Sequence, residues 1–145
     1  MLKNILEGQS LIHCPPDAKI SDVAKVMKDK NVGATLVLSN GKPRGILTDR
    51  DIVVRCIAEN LDTNDCTVEQ VMSESLETVS VNDGLFDCIQ KMDAAHVRRI
   101  PVVDEKGNAV GILSYGDISR ILAKELATLN RQTTPGKKDA KKLAA

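Results

Sequence analysis

The sequence predicts an α+β fold of two β-α-β-β-α repeats that pack sheet to sheet about a pseudo-two-fold axis. Three observations predict it: an internal duplication, apolar positions with helical spacing, and a hairpin turn in each copy. A single unit of about 60 residues would leave one apolar face of its sheet uncovered, and a second copy provides that cover.

The duplication emerges when the sequence is aligned with itself at an offset of 65 residues. Matched pairs at this offset are Ser10 and Ser75, Asp22 and Asp87, Met27 and Met92, and Val37 and Val102. After one inserted residue the offset becomes 66, so that Gly45-Ile46-Leu47 matches Gly111-Ile112-Leu113. The insertion lies at a turn, where extra residues are best tolerated.

In the first copy, residues 11–15 are expected to be extended, and Asp17 is expected to cap the first helix. Asn40-Gly41 predicts a type I′ hairpin turn between strands at 35–38 and 44–47. The helices are predicted from two apolar patterns, Ile20, Val23, Ala24 and Met27 in one, and Ile52, Val53, Cys56, Ile57 and Leu61 in the other.

The second copy repeats this plan, with an extended segment at 76–81 and Asn82 as the expected cap. Its hairpin is predicted between 100–103 and 110–113. The helical patterns are Leu85, Cys88, Ile89 and Met92, then Ile118, Ile121, Leu122, Leu126 and Leu129. We expect domains at 1–65 and 66–130, followed by a basic disordered tail at 131–145.

Composition limits the classes of function. Hydrophobic residues make up 42%, with one Phe, one Tyr and no Trp, so the core is expected to be aliphatic. The 20 basic and 20 acidic residues cancel, but residues 131–145 hold five basic residues and one acidic, which leaves −4 on residues 1–130. An acidic body argues against nucleic acid as a partner.

The four cysteines, Cys14, Cys56, Cys66 and Cys88, form no C-x-x-C pair and indicate neither a zinc site nor a disulfide framework. We expect them to be small core residues with reduced thiols. No signal peptide or membrane-spanning run is present in the sequence, so a cytoplasmic protein that does not bind membranes is expected.

Two segments carry a resemblance to a known family. Residues 45–52 read Gly-Ile-Leu-Thr-Asp-Arg-Asp-Ile, and residues 111–118 read Gly-Ile-Leu-Ser-Tyr-Gly-Asp-Ile after Arg99-Ile100-Pro101-Val102-Val103-Asp104. They resemble the signature of the cystathionine β-synthase (CBS) domain, and the match covers nearly all of 1–130. The resemblance implies a disc-like Bateman module with two clefts, often a homodimer. Similar proteins bind AMP, ATP or S-adenosylmethionine and regulate an attached or separate partner.

Thr48 and Ser114 end a strand and begin a helix, where a hydroxyl and free backbone N–H groups suit a ribose or phosphate oxygen. Asp51 and Asp117 follow one helical turn later, and a carboxylate accepts both protons of a ribose diol. In the resembling family these positions do that work. The alternative is that each pair is a capping box, which many proteins without ligands contain.

The resemblance places aliphatic side chains against the purine, and the candidates by position are Ile12, Cys14, Val79 and Val81. Arg98-Arg99 is the candidate for phosphate, whereas the first copy has Gly33-Ala34 there. Arg50 is a further candidate for phosphate in the first copy, and the matching residue of the second copy is Gly116. We therefore expect unequal clefts, with the tighter one using Arg99. Tyr115 is assigned either to base stacking or to covering the helix start.

Neither a G-x-x-x-x-G-K-[ST] loop nor a G-x-G-x-x-G motif is present, and His13 and His96 occupy unmatched positions. We expect no catalytic activity and no required cofactor. The leading interpretation is an adenosyl-nucleotide sensor that acts on a separate partner. The alternatives are a ligand-independent dimerisation or interaction module, and redox regulation through one of the cysteines.

Overall fold

The computed structural model describes residues 1–74 and 76–133. Contacts divide the chain into two compact units, of which the first ends at Leu113 and the second begins at Ser114. The predicted domain boundary between residues 65 and 66 falls inside the first unit and stays a prediction. The predicted tail begins too early, since residues 131–133 continue the last helix, and its remainder, 134–145, lies outside the described residues.

The first repeat forms a three-stranded sheet in the order β1-β2-β3. Strand β1 is parallel to β2, and β2 is antiparallel to β3 with a bulge between Val37 and Leu38. The elements are α1 (Leu2–Leu6), β1 (His13–Cys14), α2 (Ile20–Lys30), β2 (Ala34–Ser39), β3 (Lys42–Thr48) and α3 (Asp49–Ile52), followed by a π-helical turn (Val53–Ile57).

The second repeat has the same arrangement, with its sheet in the order β4-β5-β6 and β4 parallel to β5. Its elements are α4 (Val68–Val71), β4 (Val79–Ser80), α5 (Leu85–Ala94), β5 (Arg99–Val103), β6 (Ala109–Ser114) and α6 (Tyr115–Thr133). The predicted α+β class, with a β-α-β-β-α order in each repeat, is confirmed.

Both hairpin turns follow the predicted chemistry. Asn40 and Gly41 have φ values of 51° and 78°, the two positive angles that a type I′ turn requires. In the second repeat Gly107 has a φ of 81°. The two turns also meet, because the Ala109 N–H donates to the Gly41 carbonyl at 2.9 Å.

The predicted helix caps at Asp17 and Asn82 are wrong. Helix α2 starts after Lys19, which has no side-chain cap, and α5 starts after Gly84, whose N–H donates to the Asp87 carboxylate at 3.1 Å. The cause is tertiary: the backbone just before each helix is already engaged by a segment of the other repeat. Lys19 and Gly84 are therefore the extended residues directly before the two helices.

Two short helices, α1 and α4, make these backbone hydrogen bonds. Apolar periodicity does not reveal them, because they have only five and four residues. In α1, the Leu2 N–H donates to the Asp83 carbonyl at 3.0 Å. In α4, the Val68 N–H donates to the Ala18 carbonyl at 2.9 Å. Each helix thus precedes one repeat in the chain but packs on the other.

The helix predicted through Ile52 to Leu61 is shorter than expected. Helix α3 ends at Ile52, and the next turn is π-helical, with the Ala58 N–H donating to the Val53 carbonyl at 2.9 Å. Cys56 is fully buried, whereas Val53 and Ile57 are about half exposed.

The apolar core of the first repeat is aliphatic, as predicted, and includes Ile20, Val23, Met27, Val37, Leu47 and Val71. All four cysteines are buried and have free thiols, which confirms the prediction that they are core residues. Across the described ranges, no helix combines the length and the apolar character that crossing a bilayer requires.

Candidate functional site

A cavity of about 240 Å³ lies within the first unit. It is lined from the first repeat by the end of β3 and by α3, and from the second by the start of β5. The segment that joins the repeats, residues 71–74 and 76–77, completes the wall. The lining residues are Ile46, Thr48, Asp51, Ser73, Glu74, Leu76, Glu77, Val97, Arg98 and Arg99.

Thr48 and Asp51 form a reciprocal capping box at the start of α3. The Asp51 N–H donates to the Thr48 hydroxyl at 3.1 Å, and the Thr48 N–H donates to Asp51 Oδ2 at 3.0 Å. The Asp51 side chain is only 14% exposed, yet it lines the cavity. The capping interpretation is therefore confirmed here, and it leaves Oδ1 outside the capping box.

Ser114 and Asp117 repeat this geometry in the second unit. The Asp117 N–H donates to the Ser114 hydroxyl at 3.1 Å, and the Ser114 N–H donates to Asp117 Oδ2 at 2.9 Å. The Ser114 hydroxyl is also 2.6 Å from Asp117 Oδ2. Arg120 forms an ion pair with Asp117 from the next turn of α6.

The two arginines predicted to contact phosphate lie at the cavity, and they belong to the second repeat while Thr48 and Asp51 belong to the first. Their position follows a tight exit from α5, where His96 has a φ of 52°. At the matching position after α2, Asn31 has the same φ of 52°. The left-handed conformation gives His96 a structural role as the residue that ends a helix.

The joining segment is held against β3 by backbone pairing. The Ile46 N–H donates to the Ser73 carbonyl at 3.0 Å, and the Ser73 N–H donates to the Ile46 carbonyl at 2.9 Å. Gly45 permits this approach, because a Cβ atom there would lie 2.8 Å from the Ser73 carbonyl oxygen. The pairing brings Ser73 and Glu74 to the cavity.

The apolar candidates of the first strands do not lie at this cavity. Cys14 and Val79 are buried, Ile12 is half-buried, and Val81 lines a separate open depression beside the hairpin of the second repeat. The apolar side chains that line the cavity are instead Ile46, Leu76 and Val97.

Residue spacing in the sequence could have identified two of these three apolar lining side chains. Ile46 precedes Thr48 by two residues and therefore shares its face of β3, and Val97 directly precedes the arginine pair. Leu76 lies in the joining segment, and nothing in the local pattern signals its position.

Arg50 and Tyr115 are placed differently from the cavity residues. Arg50 is exposed, and its backbone N–H donates to Asp49 Oδ1 at 2.8 Å, but it does not line the cavity. Tyr115 begins α6 in the second unit and is 61% exposed.

Arg55 contacts the cavity residue Asp51, and sequence reasoning did not identify it as part of the site. It follows Asp51 by one turn, and its Nη2 lies 3.6 Å from Asp51 Oδ1. Its Nη1 donates to the Val71 carbonyl at 2.9 Å and to the Ser73 hydroxyl at 3.2 Å. Arg55 thereby connects the cavity carboxylate to the joining segment.

Three of the four cysteines have an environment that disfavours the thiolate. Burial raises the pKa of Cys14, Cys66 and Cys88, and the neighbouring Cys56 raises that of Cys66 further. A raised pKa lowers the thiolate fraction, which is the reactive form. Within the described residues, no cluster of three or more His, Cys, Asp or Glu side chains is arranged to hold a metal ion.

Comparison with known proteins agrees with this architecture. The family model of the CBS domain matches residues 4–57 and 68–124. The CBS domain-containing protein YhcV of Bacillus subtilis is 40% identical over 104 residues, which are 72% of this chain and 73% of that protein.

Two solved structures of similar proteins contain adenosyl compounds. The CBS domain pair of protein MJ0100, in complex with 5′-methylthioadenosine and S-adenosyl-L-methionine, is 27% identical, with a TM-score of 0.74 over 86% of this chain and 97% of that one. The CBS domain protein PAE2072 of Pyrobaculum aerophilum, complexed with AMP, is 27% identical, with a TM-score of 0.71 over 85% of this chain and 95% of that one.

Proposed function

Because the chain belongs to the CBS-domain family, we propose that it is a regulatory module whose cavity binds an adenosyl ligand. One observation carries this proposal: the cavity brings Thr48 and Asp51 of the first repeat together with Arg98 and Arg99 of the second. A carboxylate for a ribose diol and guanidinium groups for a phosphate are the donors and acceptors that a nucleoside monophosphate needs.

The chemistry of the walls assigns a role to each part of such a ligand. Asp51 accepts hydrogen bonds from the ribose hydroxyls through Oδ1, because Oδ2 already accepts from the Thr48 N–H. Arg99 and Arg98 bind the phosphate. The base packs between Ile46, Leu76 and Val97, which provide apolar contact without an aromatic ring.

The charge of the cavity favours a ligand with few phosphates. The lining has three carboxylates, on Asp51, Glu74 and Glu77, against two guanidinium groups, so its formal charge is −1. A triphosphate brings several negative charges into that field, whereas AMP brings at most two and S-adenosylmethionine has a cationic sulfonium. AMP and S-adenosylmethionine are therefore preferred to ATP.

Regulation follows from the position of the cavity between segments of both repeats. A ligand that contacts both stabilises one relative arrangement of the repeats, and it shifts the population only by its difference in affinity for the two arrangements. The module then acts on a separate partner protein through its accessible helices, and it performs no catalysis itself.

A second candidate function, a homodimeric interaction module, is favoured by exposed apolar side chains. Leu122, Leu126 and Leu129 are 47%, 60% and 57% exposed at helical spacing on α6. Val53 and Ile57 are exposed on the π-helical turn. Such stripes are typical of surfaces that another protein covers.

Isothermal titration calorimetry with AMP, ATP, S-adenosylmethionine, 5′-methylthioadenosine and adenosine tests the first proposal. We expect micromolar binding of at least one adenosyl compound with one tight site per chain. Absence of heat from every ligand, for a folded protein, would overturn the sensor proposal and leave the interaction module as the function.

A further inference from the structure

The Arg55 guanidinium contacts the candidate ribose-binding carboxylate and the joining segment at the same time. Its Nη2 lies 3.6 Å from Asp51 Oδ1, and its Nη1 donates to the Val71 carbonyl at 2.9 Å. The same Nη1 donates to the Ser73 hydroxyl at 3.2 Å. Asp51 and Ser73 line the cavity, whereas Arg55 does not.

Arg55 lies on the π-helical turn, one residue further from Asp51 than Arg120 is from Asp117. At the offset of 66 that matches Asp51 with Asp117, Arg55 matches Ile121 and Val54 matches Arg120. The two arginines therefore lie at different positions relative to their carboxylates, both at spacings that bring side chains together on a helix. Arg120 contacts Asp117 at the i+3 position, whereas Arg55 lies at i+4 from Asp51.

The geometry also limits how Asp51 can respond to a ligand. Oδ2 is held by the Thr48 N–H at 3.0 Å, so Oδ1 is the oxygen that a ribose would contact. Arg55, which lies outside the cavity lining, forms an ion pair with that oxygen at 3.6 Å. Because the guanidinium is a rigid planar fork, its two nitrogens move together. A shift of Oδ1 towards a ligand would therefore change its distance to a guanidinium whose other nitrogen donates to Val71 and Ser73.

We propose that Arg55 is a positioning residue that orients the Asp51 carboxylate for a ribose diol and couples occupancy of the cavity to residues 71–73. This inference rests on the proposed adenosyl-ligand function. A lysine at position 55 supplies one compact ammonium, which cannot hold the carboxylate and the joining segment in the same planar arrangement.

The test compares AMP with 2′-deoxy-AMP by calorimetry in the wild type, Arg55→Lys, Arg55→Ala and Lys25→Ala. The last variant breaks an exposed i,i+3 ion pair with Asp22 that lies away from the cavity, and serves as the matched control. Amide hydrogen exchange of Ile46 and Ser73, with and without AMP, reports on the joining segment. Thermal melts establish that each variant is folded.

We expect the wild type and Lys25→Ala to prefer AMP to 2′-deoxy-AMP and to gain protection at Ser73 with AMP. In Arg55→Lys that preference falls about three- to tenfold, in the lower part of the range of coupling between contacting residues, and the gain in protection is lost. An unchanged preference together with an unchanged gain in Arg55→Lys would overturn the role of Arg55 alone. A wild type that binds neither nucleotide would overturn the proposed function, and this inference with it.

Discussion

Gly45 and Met72 approach so closely that a Cβ atom on Gly45 would lie 2.6 Å from Met72 Sδ. That added Cβ atom would also lie 2.8 Å from the Ser73 carbonyl oxygen. This contact allows the joining segment to pair with Ile46 and to form one wall of the cavity. The residue at position 45 therefore affects both the stability of the fold and the shape of the site.

Substitution Gly45→Ala is expected to destabilise the protein by about 1–3 kcal/mol, the cost of adding an atom to a filled space. The methionine can move, but the Ser73 carbonyl belongs to the backbone and moves only if the pairing with Ile46 is disturbed. Urea unfolding of the variant measures the effect. Gly116→Ala is the control, because a Cβ there has no neighbour closer than 3.6 Å. Equal stability of the two variants would contradict the steric argument.

Substitution Arg99→Ala is expected to weaken AMP binding about tenfold while leaving adenosine binding within about twofold, since only the nucleotide has a phosphate for the guanidinium. Calorimetry with the two ligands gives the ratio. Arg44→Ala removes an exposed arginine of β3 that does not line the cavity, and it should change neither affinity. A ratio of AMP to adenosine affinity that Arg99→Ala leaves unchanged would exclude the phosphate role.

The charge of the cavity predicts that removal of two of its carboxylates raises the affinity for ATP relative to AMP. Replacing Glu74 and Glu77 by glutamine changes the formal lining charge from −1 to +1. ATP affinity should then rise about tenfold relative to AMP at low salt, and less at high salt because the side chains are exposed. Glu69→Gln, on α4 outside the cavity, is the matched control. A double variant with the wild-type ratio of ATP to AMP affinity would show that these carboxylates do not act on the ligand.

The pH dependence of stability follows from two carboxylates in turns. The backbone N–H of Ser80 lowers the pKa of Asp83, and the backbone N–H of Asn108 lowers that of Asp104, both from 3.8. A carboxyl whose pKa is lower in the folded state adds stability that is complete above its unfolded pKa. That contribution is lost as the pH falls through the folded pKa.

We therefore expect the free energy of unfolding to decrease as the pH falls below about 4 and through the lower folded pKa values of the two carboxyls. In Asp104→Asn the decrease should be smaller, because one of the two carboxyls no longer titrates. Urea titrations at a series of pH values measure both slopes. Identical slopes in the variant and the wild type would contradict the assignment of Asp104.

The exposed stripe on α6 predicts self-association. Leu126 is 60% exposed, and a glutamate there would place a charge within the stripe formed with Leu122 and Leu129. We expect the wild type to be a dimer by light scattering after size exclusion, and Leu126→Glu to be largely monomeric and still folded. Lys124→Glu, on the same helix but outside the stripe, should remain dimeric. A monomeric wild type would exclude the homodimer.

The sequence predicted those features that depend on local chemistry. The duplication, the Asn40-Gly41 turn and the capping pair Thr48 and Asp51 all follow from residues adjacent in the chain or repeated at a fixed offset. The arginines at 98 and 99 were identified by the family resemblance, and the glycine and alanine at the matching positions of the first copy predicted unequal clefts.

What the sequence could not predict depends on pairing between distant segments. The bridge between Ile46 and Ser73 and the contacts of Arg55 require knowledge of where the joining segment runs. The caps expected at Asp17 and Asn82 failed for the same reason, since the other repeat engages the backbone there. Helix periodicity likewise contains no signal for the π turn that places Arg55.

We propose that Asp51, with Thr48 and Arg99, forms the adenosyl-ligand site. AMP titration of Asp51→Asn against Asp117→Asn tests it most directly, since asparagine retains an oxygen for the capping hydrogen bond but loses the charge. We expect Asp51→Asn to lose about 1.5–3 kcal/mol of binding free energy, the value of a hydrogen bond to a charged group. The tight site should be within about twofold of wild type in Asp117→Asn. Wild-type affinity in Asp51→Asn would contradict the account.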